Sequence, residues 1–133
     1  MKVLAVDDDK MLVQSVKLML EELGHSVDTA DNAEEGVRMA ADGTYDFVLL
    51  DFKMPVNDGI WFMRNSTSLK QTKVLLMTGF VNRGVINQMF ELGVVGYIVK
   101  PFDQQDLVRH LEFHSTRQSR NDCSAGRQPG RSE

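Results

Sequence analysis

Four short apolar runs in this 133-residue chain each stop at a polar residue. The runs occupy residues 3–6, 47–50, 74–77 and 97–99. The polar residues that follow them are Asp7 with Asp8, Asp51, Thr78 and Lys100. Apolar runs of this length, rich in β-branched residues, are typical of strands buried in a parallel sheet. Because ligands of an open parallel sheet bind beyond the carboxyl ends of its strands, we expect these polar side chains to converge on one site.

Amphipathic stretches separate the predicted strands. After the first strand, apolar residues recur at spacings of three and four from Met11 to Leu23, and Gly24 is the predicted helix end. Asn32 and Asp103 are placed to cap two further helices. Five alternating strand–helix units predict an α/β fold, a doubly wound five-stranded parallel sheet with helices on both faces and right-handed crossovers.

The alternating pattern ends near residue 114. From Ser115 onward, Ser, Arg, Gln, Gly and Pro dominate and no aromatic residue occurs, which is typical of a disordered segment. We therefore predict one domain over residues 1–114 and a disordered polar tail over residues 115–133. Because this tail is too short for a DNA-binding or enzymatic output domain, we expect a stand-alone module.

Composition and charge exclude several classes of protein. A single cysteine, Cys123, excludes a disulfide framework. The first apolar run is too short for a signal peptide, and no run approaches the ~20 apolar residues of a membrane span. We therefore expect a soluble, cytoplasmic protein without a membrane partner. The net charge is −4 and the acidic excess lies within residues 1–114, which argues against direct binding of nucleic acid.

Three adjacent carboxylates, Asp7-Asp8-Asp9, follow the first predicted strand. Like charges crowded at a strand end repel one another, and a hard divalent cation such as Mg²⁺ would relieve that repulsion. The alternative is a solvated acidic turn or a helix N-cap, because a helix N-terminus favours negative charge. The triplet alone favours the alternative, and the spacing does not support an EF-hand, since Met11 interrupts the alternate acidic positions.

The other strand ends carry complementary chemistry. Asp51 could ligate a metal or act as a nucleophile that forms an aspartyl-phosphate, whereas its structural alternative is to cap the following loop. Lys100 could neutralise phosphoryl oxygens as a point charge or form a plain salt bridge to one of the acids. Thr78 offers a hydroxyl beside Gly79, where room exists for a bulky anion, although it could be an ordinary residue at a strand end.

The motifs together resemble the bacterial two-component response regulator receiver family. The segments that carry the resemblance are residues 3–9, residues 48–55 with Asp58-Gly59, residues 76–79 and residues 96–102. The resemblance covers roughly residues 2–113, and its combination of motifs is far more specific than any one of them. It implies the flavodoxin-like strand order 2-1-3-4-5.

The resemblance also implies a role for each matching residue. Asp51 would accept a phosphoryl group from the phosphohistidine of a sensor histidine kinase or phosphotransfer protein. Mg²⁺ would be held by Asp7, Asp8, Asp51 and the backbone carbonyl of Lys53. Lys100 and Thr78 would contact the phosphoryl oxygens, and the Lys100–Pro101 bond would be cis. The metal and phosphoryl ligands therefore form one expected site.

The expected output is altered partner binding. Thr78 would move toward the phosphoryl group, Tyr97 would change rotamer, and an unidentified output protein would bind the face of the fourth helix, fifth strand and fifth helix. The protein would be a monomer or a phosphorylation-dependent dimer, and not an enzyme beyond self-phosphorylation from small donors and self-dephosphorylation. Phe80 is bulky and apolar two residues after Thr78, which predicts slow self-dephosphorylation relative to a Phe80→Glu variant.

Two alternatives remain open from the sequence. A haloacid-dehalogenase-type phosphatase would use Asp7 as its nucleophile and Asp9 as its general acid. Against it, Met11 stands where that class has Thr or Val, and no second acidic pair follows Lys100. A pseudo-receiver would keep the fold as a scaffold without phosphorylation, although the full set of site residues argues against it.

Overall fold

Five strands alternate with five helices along the part of the chain that the computed structural model describes, which is residues 1–67, 69, 71–79 and 82–119. The strands are β1 Lys2–Val6, β2 Ser26–Ala30, β3 Phe47–Asp51, β4 Lys73–Thr78 and β5 Gly96–Val99. The helices are α1 Lys10–Glu21, α2 Ala33–Asp42, α3 Gly59–Asn65, α4 Arg83–Glu91 and α5 Gln104–Ser119. None of these helices is long and apolar enough to cross a bilayer.

All five strands pair in parallel in the order β2-β1-β3-β4-β5. This order confirms the flavodoxin-like arrangement that the resemblance implied. All five residues of β3 are buried at the centre of the sheet, which explains its uninterrupted apolar sequence. The register sets Asp51 of β3 beside Met77 of β4, so that the strands end at a common carboxyl edge.

A cluster of buried side chains lies between the sheet and helices α2, α3 and α4. The cluster takes alternate strand residues, among them Leu4, Val48 and Leu76, together with Phe62 of α3 and Met89 of α4. Alternate residues of a strand point to opposite faces, and those of the other parity are also buried. Helix α1 packs on β1 and β2 but adds no side chain to this cluster. The sheet therefore carries helices on both faces, which confirms the predicted doubly wound fold.

Side-chain caps fix the starts of two helices as predicted. The side chain of Asn32 accepts a hydrogen bond of 2.8 Å from the backbone N–H of Glu35 at the start of α2. Asp103 and Asp106 cap the start of α5 reciprocally, each side chain accepting from the other residue's backbone N–H, at 2.8 and 3.2 Å. Each bond satisfies one of the N–H groups that the first turn of a helix leaves without an intrahelical acceptor.

The structure contradicts a disordered tail that begins at residue 115, because α5 continues to Ser119, whereas the domain boundary itself stays a prediction. The segment that begins at Asp103 forms a compact unit of its own, in which Leu107 and Leu111 are buried. Once a helix has formed, each added residue gains one hydrogen bond at little cost, and no Gly or Pro interrupts residues 115–119. Residues 115–119 are polar and therefore lack the apolar stripe of α5, but they remain helical. The remainder of the predicted tail, residues 120–133, lies outside the described residues.

Candidate functional site

The fold brings Asp7, Asp8 and Asp51 together at the carboxyl edge of the sheet. Asp7 and Asp8 follow β1 and Asp51 ends β3, and these two strands are neighbours. One carboxylate oxygen from each residue lies within 4.8 Å of the others. Asp7 is fully buried and Asp51 is 5% exposed, whereas Asp8 is exposed. The predicted convergence of three carboxylates is therefore present in the structure.

Lys100 joins the cluster from the end of β5. Its Nζ donates a 2.7 Å hydrogen bond to Oδ2 of Asp7 and a 3.3 Å hydrogen bond to Oδ1 of Asp51. Its backbone N–H donates to the carbonyl of Thr78 at 2.9 Å, which holds the start of the loop against the end of β4. The following Lys100–Pro101 peptide bond is cis. One ammonium thus bridges carboxylates that are far apart in the sequence.

Burial and crowding shift the acid–base properties of the cluster. Burial, together with the charge of Asp7, raises the pKa of Asp51 to about 6, although Lys100 partly offsets both effects. Burial opposes the charge on Lys100, but its hydrogen bond to Asp7 and the charges of both acids outweigh burial and raise its pKa. The site therefore holds a protonated lysine beside a carboxylate whose charge is unfavourable in the folded chain.

Asp9 has a different role from its two neighbours. Its side chain caps α1, accepting hydrogen bonds from the backbone N–H groups of Met11 and Leu12, each at 3.1 Å. Its own backbone N–H donates to Oδ1 of Asp7 at 2.9 Å. The N-cap interpretation of the acidic triplet is thus correct for Asp9, while Asp7 and Asp8 belong to the cluster. The Asp9 backbone also holds Asp7 in place, a contribution that the sequence analysis missed.

The donor set fits a hard divalent cation. Carboxylate oxygens are the ligands that Mg²⁺ prefers, and three of them stand against one ammonium, so a divalent charge would balance the site. Asp7 already accepts one bond at each oxygen, from Asp9 and Lys100. Asp8 and Asp51 therefore keep the most acceptor capacity for an added cation.

The structure also describes three other predicted site residues. Thr78 is buried at the end of β4, and Tyr97 on β5 is 36% exposed. Lys53 is exposed in the loop between β3 and α3, which we call the β3–α3 loop, Phe52–Asp58. Phe80, the basis of the dephosphorylation prediction, lies outside the described residues.

Comparison with known proteins decides the family. A family model described as the response regulator receiver domain matches residues 3–112. The chain belongs to this family. Among relatives of this receiver, the chemotaxis protein CheY-3 of Vibrio cholerae serotype O1 is 36% identical over 116 residues, which cover 84% of this chain and 89% of CheY-3.

Other relatives differ in how much of their length the receiver spans. The transcriptional regulatory protein ResD of Bacillus subtilis is 32% identical over 111 residues, which cover 84% of this chain but 46% of ResD. The receiver domain of the sensor histidine kinase PA1611 from Pseudomonas aeruginosa, solved with a magnesium ion in its active site cleft, has a TM-score of 0.75 and 26% identity. That match covers 84% of this chain and 94% of the PA1611 domain. Receivers thus occur both as most of a protein and as part of one.

Proposed function

We propose that this receiver is the phosphoacceptor switch of a two-component phosphorelay and that Asp51 accepts the phosphoryl group. The observation that carries the proposal is the position of Asp51 at the buried end of the central strand. There it lies 3.3 Å from the ammonium of Lys100 and beside the carboxylates of Asp7 and Asp8. A nucleophile needs such an arrangement to react with an anionic phosphoryl donor.

Asp51 provides the attacking oxygen in the proposed transfer. One carboxylate oxygen of Asp51 forms a bond to the phosphorus of a phosphohistidine, while the phosphorus–nitrogen bond breaks and its electron pair stays on the imidazole. Lys100 then contacts the transferred phosphoryl oxygens, for which its present 3.3 Å contact to Asp51 positions it. Transfer of this kind needs mainly positioning and charge neutralisation rather than general acid–base chemistry.

Asp7, Asp8, Asp51 and the backbone carbonyl of Lys53 would hold Mg²⁺ in this proposal. When bound, the ion supplies positive charge that lets an anionic donor approach three carboxylates. The crowded acids at the edge of β1 and β3 support this assignment. A PA1611 receiver solved with magnesium shows that a related fold can hold the ion.

Thr78 and Tyr97 would convert phosphorylation into altered binding. A phosphoryl group adds about −1.5 to −2 charge and three strong acceptor oxygens, and Thr78 would move its hydroxyl toward them. The exposed aromatic ring of Tyr97 gives β5 a side chain that can change rotamer. An output protein, as yet unidentified, would bind the phosphorylated receiver, and dimerisation on phosphorylation is the other possible response.

The proposed partners are a sensor histidine kinase or phosphotransfer protein as donor and an output protein as target. Neither nucleic acid nor membrane is a proposed partner, given the acidic composition of residues 1–114. A cytoplasmic location stays a prediction from the sequence. Enzymatic activity beyond self-phosphorylation from small donors and self-dephosphorylation is not part of the proposal.

Acetyl phosphate with MgCl₂ tests the proposal, with the mass of the intact protein as readout. We expect phosphorylation of the wild type, loss of phosphorylation when EDTA removes the metal, and none in Asp51→Asn. Tyr45→Phe, at the opposite end of the sheet, is the matched control and should be phosphorylated like the wild type. Phosphorylation that survives in Asp51→Asn but not in Asp7→Asn would instead identify a phosphatase-type nucleophile. A wild type that no phosphodonor modifies would indicate a pseudo-receiver.

A further inference from the structure

Two histidines lie one turn apart on α5. His110 and His114 are four residues apart, a spacing that places side chains next to each other on the same side of a helix. The centroids of their rings are 6.4 Å apart and the ring planes differ by 23°, so the two imidazoles face each other almost in parallel. Both residues are partly exposed. The helix therefore presents two imidazole groups side by side where a solute can reach them.

The ring of Phe113 restrains the second imidazole. Its centroid lies 5.0 Å from that of His114, and the two planes meet at 84°, which is an edge-to-face contact. Such a contact narrows the range of orientations that the His114 ring adopts. Less side-chain entropy is then lost when a bound ligand fixes that ring, which favours binding.

The charge state of His110 also suits a metal ligand, because metals bind the neutral form of imidazole. Burial, together with the positive charge of Arg109, lowers the pKa of His110 below its ordinary 6.5, although the charge of Asp106 opposes the shift. The carboxylate of Asp106 itself forms a 3.1 Å ion pair with Arg109. At neutral pH a cation therefore has no proton to displace from His110.

The ligand type selects the class of cation. Imidazole nitrogen suits Zn²⁺, Ni²⁺ and Cu²⁺, whereas the carboxylates of Asp7, Asp8 and Asp51 suit a hard cation such as Mg²⁺. With metal–nitrogen bonds of about 2.0–2.1 Å and a tetrahedral angle, the ring centroids of a bound pair would be about 5 Å apart. Rotation of the two side chains must therefore close the present separation of 6.4 Å by about 1 Å. Within the described part of the chain no third His, Cys, Asp or Glu completes the set, which leaves the other coordination positions to water.

We propose that His110 and His114 form a surface chelate for a divalent transition metal of the class of Zn²⁺, Ni²⁺ and Cu²⁺. The two imidazoles meet only while α5 is helical as far as residue 114, so a bound metal also stabilises that part of the helix. The site differs from the candidate Mg²⁺ site in its residues and in its ligand chemistry. It does not depend on phosphorylation of Asp51.

Isothermal titration of the full chain with ZnCl₂ tests the proposal. An excess of MgCl₂ in the buffer competes for the carboxylate cluster. The test variants are His110→Gln and His114→Gln, which each remove one ligand and keep a residue that is compatible with a helix. The matched controls are His25→Gln, which removes a histidine outside the pair, and Cys123→Ser, which removes the one thiol. Far-UV circular dichroism checks that each variant keeps its helical content.

We expect the wild type and both controls to bind Zn²⁺ with the same affinity. Either substitution within the pair should weaken binding at least about tenfold, because one ligand remains where two acted together. A second measurement locates the metal without any substitution. Substoichiometric NiCl₂, a paramagnetic probe, should broaden the imidazole signals of His110 and His114 in the NMR spectrum of the wild type and leave those of His25 sharp.

Equal Zn²⁺ affinity in the wild type, His110→Gln and His114→Gln would overturn the inference. A loss in His25→Gln or Cys123→Ser as large as that in the pair would also overturn it, because the metal would then lie elsewhere. The same holds for a wild type that shows neither heat with ZnCl₂ nor broadening with NiCl₂. If one of the pair variants does not fold, the other variant and the NiCl₂ spectrum decide. None of these results bears on acceptance of a phosphoryl group by Asp51, so the inference and the proposed function fail separately.

Discussion

The two ends of the sheet handle polar groups in opposite ways. At the amino end, the carboxylate of Asp46 accepts a 2.8 Å hydrogen bond from the backbone N–H of Lys2. The backbone N–H of Asp46 donates a second hydrogen bond of 2.8 Å to the carbonyl of Lys2. The hydroxyl of Tyr45 donates to Asp28 at 2.7 Å, and Thr72 donates to the carbonyl of Tyr45 at 2.7 Å. The amino end thus matches donors with acceptors and contributes stability.

At the carboxyl end, charge is concentrated instead of matched. Asp7, Asp8 and Asp51 share one ammonium, and burial makes the charge on Asp51 unfavourable. Loss of an acid should therefore stabilise one end of the sheet, whereas loss of a polar group should weaken the other. The difference indicates that the polar groups at the amino end stabilise the fold, whereas those at the carboxyl end form the candidate site at a cost in stability.

The largest effect should come from Lys100→Met. Removing one member of a buried ion pair leaves uncompensated charge, and for this partly exposed lysine the loss should be about 3 kcal/mol of unfolding free energy in EDTA. MgCl₂ should recover part of that loss, since the cation would replace the missing positive charge. Urea unfolding with and without the metal measures both. Equal stability of the variant and the wild type in EDTA would contradict the view that the carboxylates at this end depend on the charge of Lys100.

Asp51→Asn should shift stability in the opposite direction. The folded pKa of Asp51 is raised to about 6, so its protonated form stabilises the fold at low pH and that contribution is lost as pH rises through about 6. At neutral pH the asparagine avoids this penalty, and the metal-free protein should gain about 2–3 kcal/mol. Chemical denaturation at neutral pH in EDTA provides the measurement. A destabilised Asp51→Asn protein would remove the contrast between the two ends.

Alkaline pH should weaken the amino end. Burial, with the hydrogen bond and charge of Asp28, raises the pKa of Tyr45 to about 12 from 10.0. Because the folded pKa lies above the unfolded value, the stabilisation is complete below pH 10.0 and is lost as pH rises toward about 12. The loss at full ionisation should be about 2 kcal/mol. The unfolding free energy of Tyr45→Phe should lack this phase in the same pH series.

Tyr45→Phe itself should have the smallest effect of the set. The substitution removes the 2.7 Å bond to Asp28 and keeps the buried ring, so we expect a loss of about 1.5 kcal/mol near neutral pH. Thermal or urea unfolding monitored by circular dichroism measures it. A Tyr45→Phe protein more stable than the wild type would show that the matched network at the amino end does not stabilise the fold.

The strand ends were predictable because burial on both faces imposes a strong sequence pattern. A strand such as β3 must be apolar throughout, so the first polar residue after it marks the carboxyl edge. The strand order came from family resemblance, since alternating units alone fit several orders. Once that order was assumed, parallel pairing was enough to predict that Asp7, Asp51 and Lys100 lie at the same edge of the sheet.

Other features depend on three-dimensional constraints that leave little trace in the sequence. Three identical aspartates follow β1, and only the start of α1 decides that Asp9 is a cap. Val56, in the β3–α3 loop, has a φ of +71°, and a valine gives no sign of positive φ in the sequence. The pairing of Asp46 with Lys2 requires the register of two strands. The length of α5 follows from propagation of helical hydrogen bonds and not from an apolar stripe.

Chemical trapping of the acyl phosphate tests the central claim most directly. After reaction with acetyl phosphate and MgCl₂, borohydride reduces an aspartyl-phosphate to homoserine, and peptide mass spectrometry locates the converted residue. We predict homoserine at position 51 and unmodified aspartate at positions 7 and 8. Homoserine at position 7, or an unconverted Asp51 in a protein that carries the phosphoryl group, would contradict the assignment of Asp51 as the acceptor.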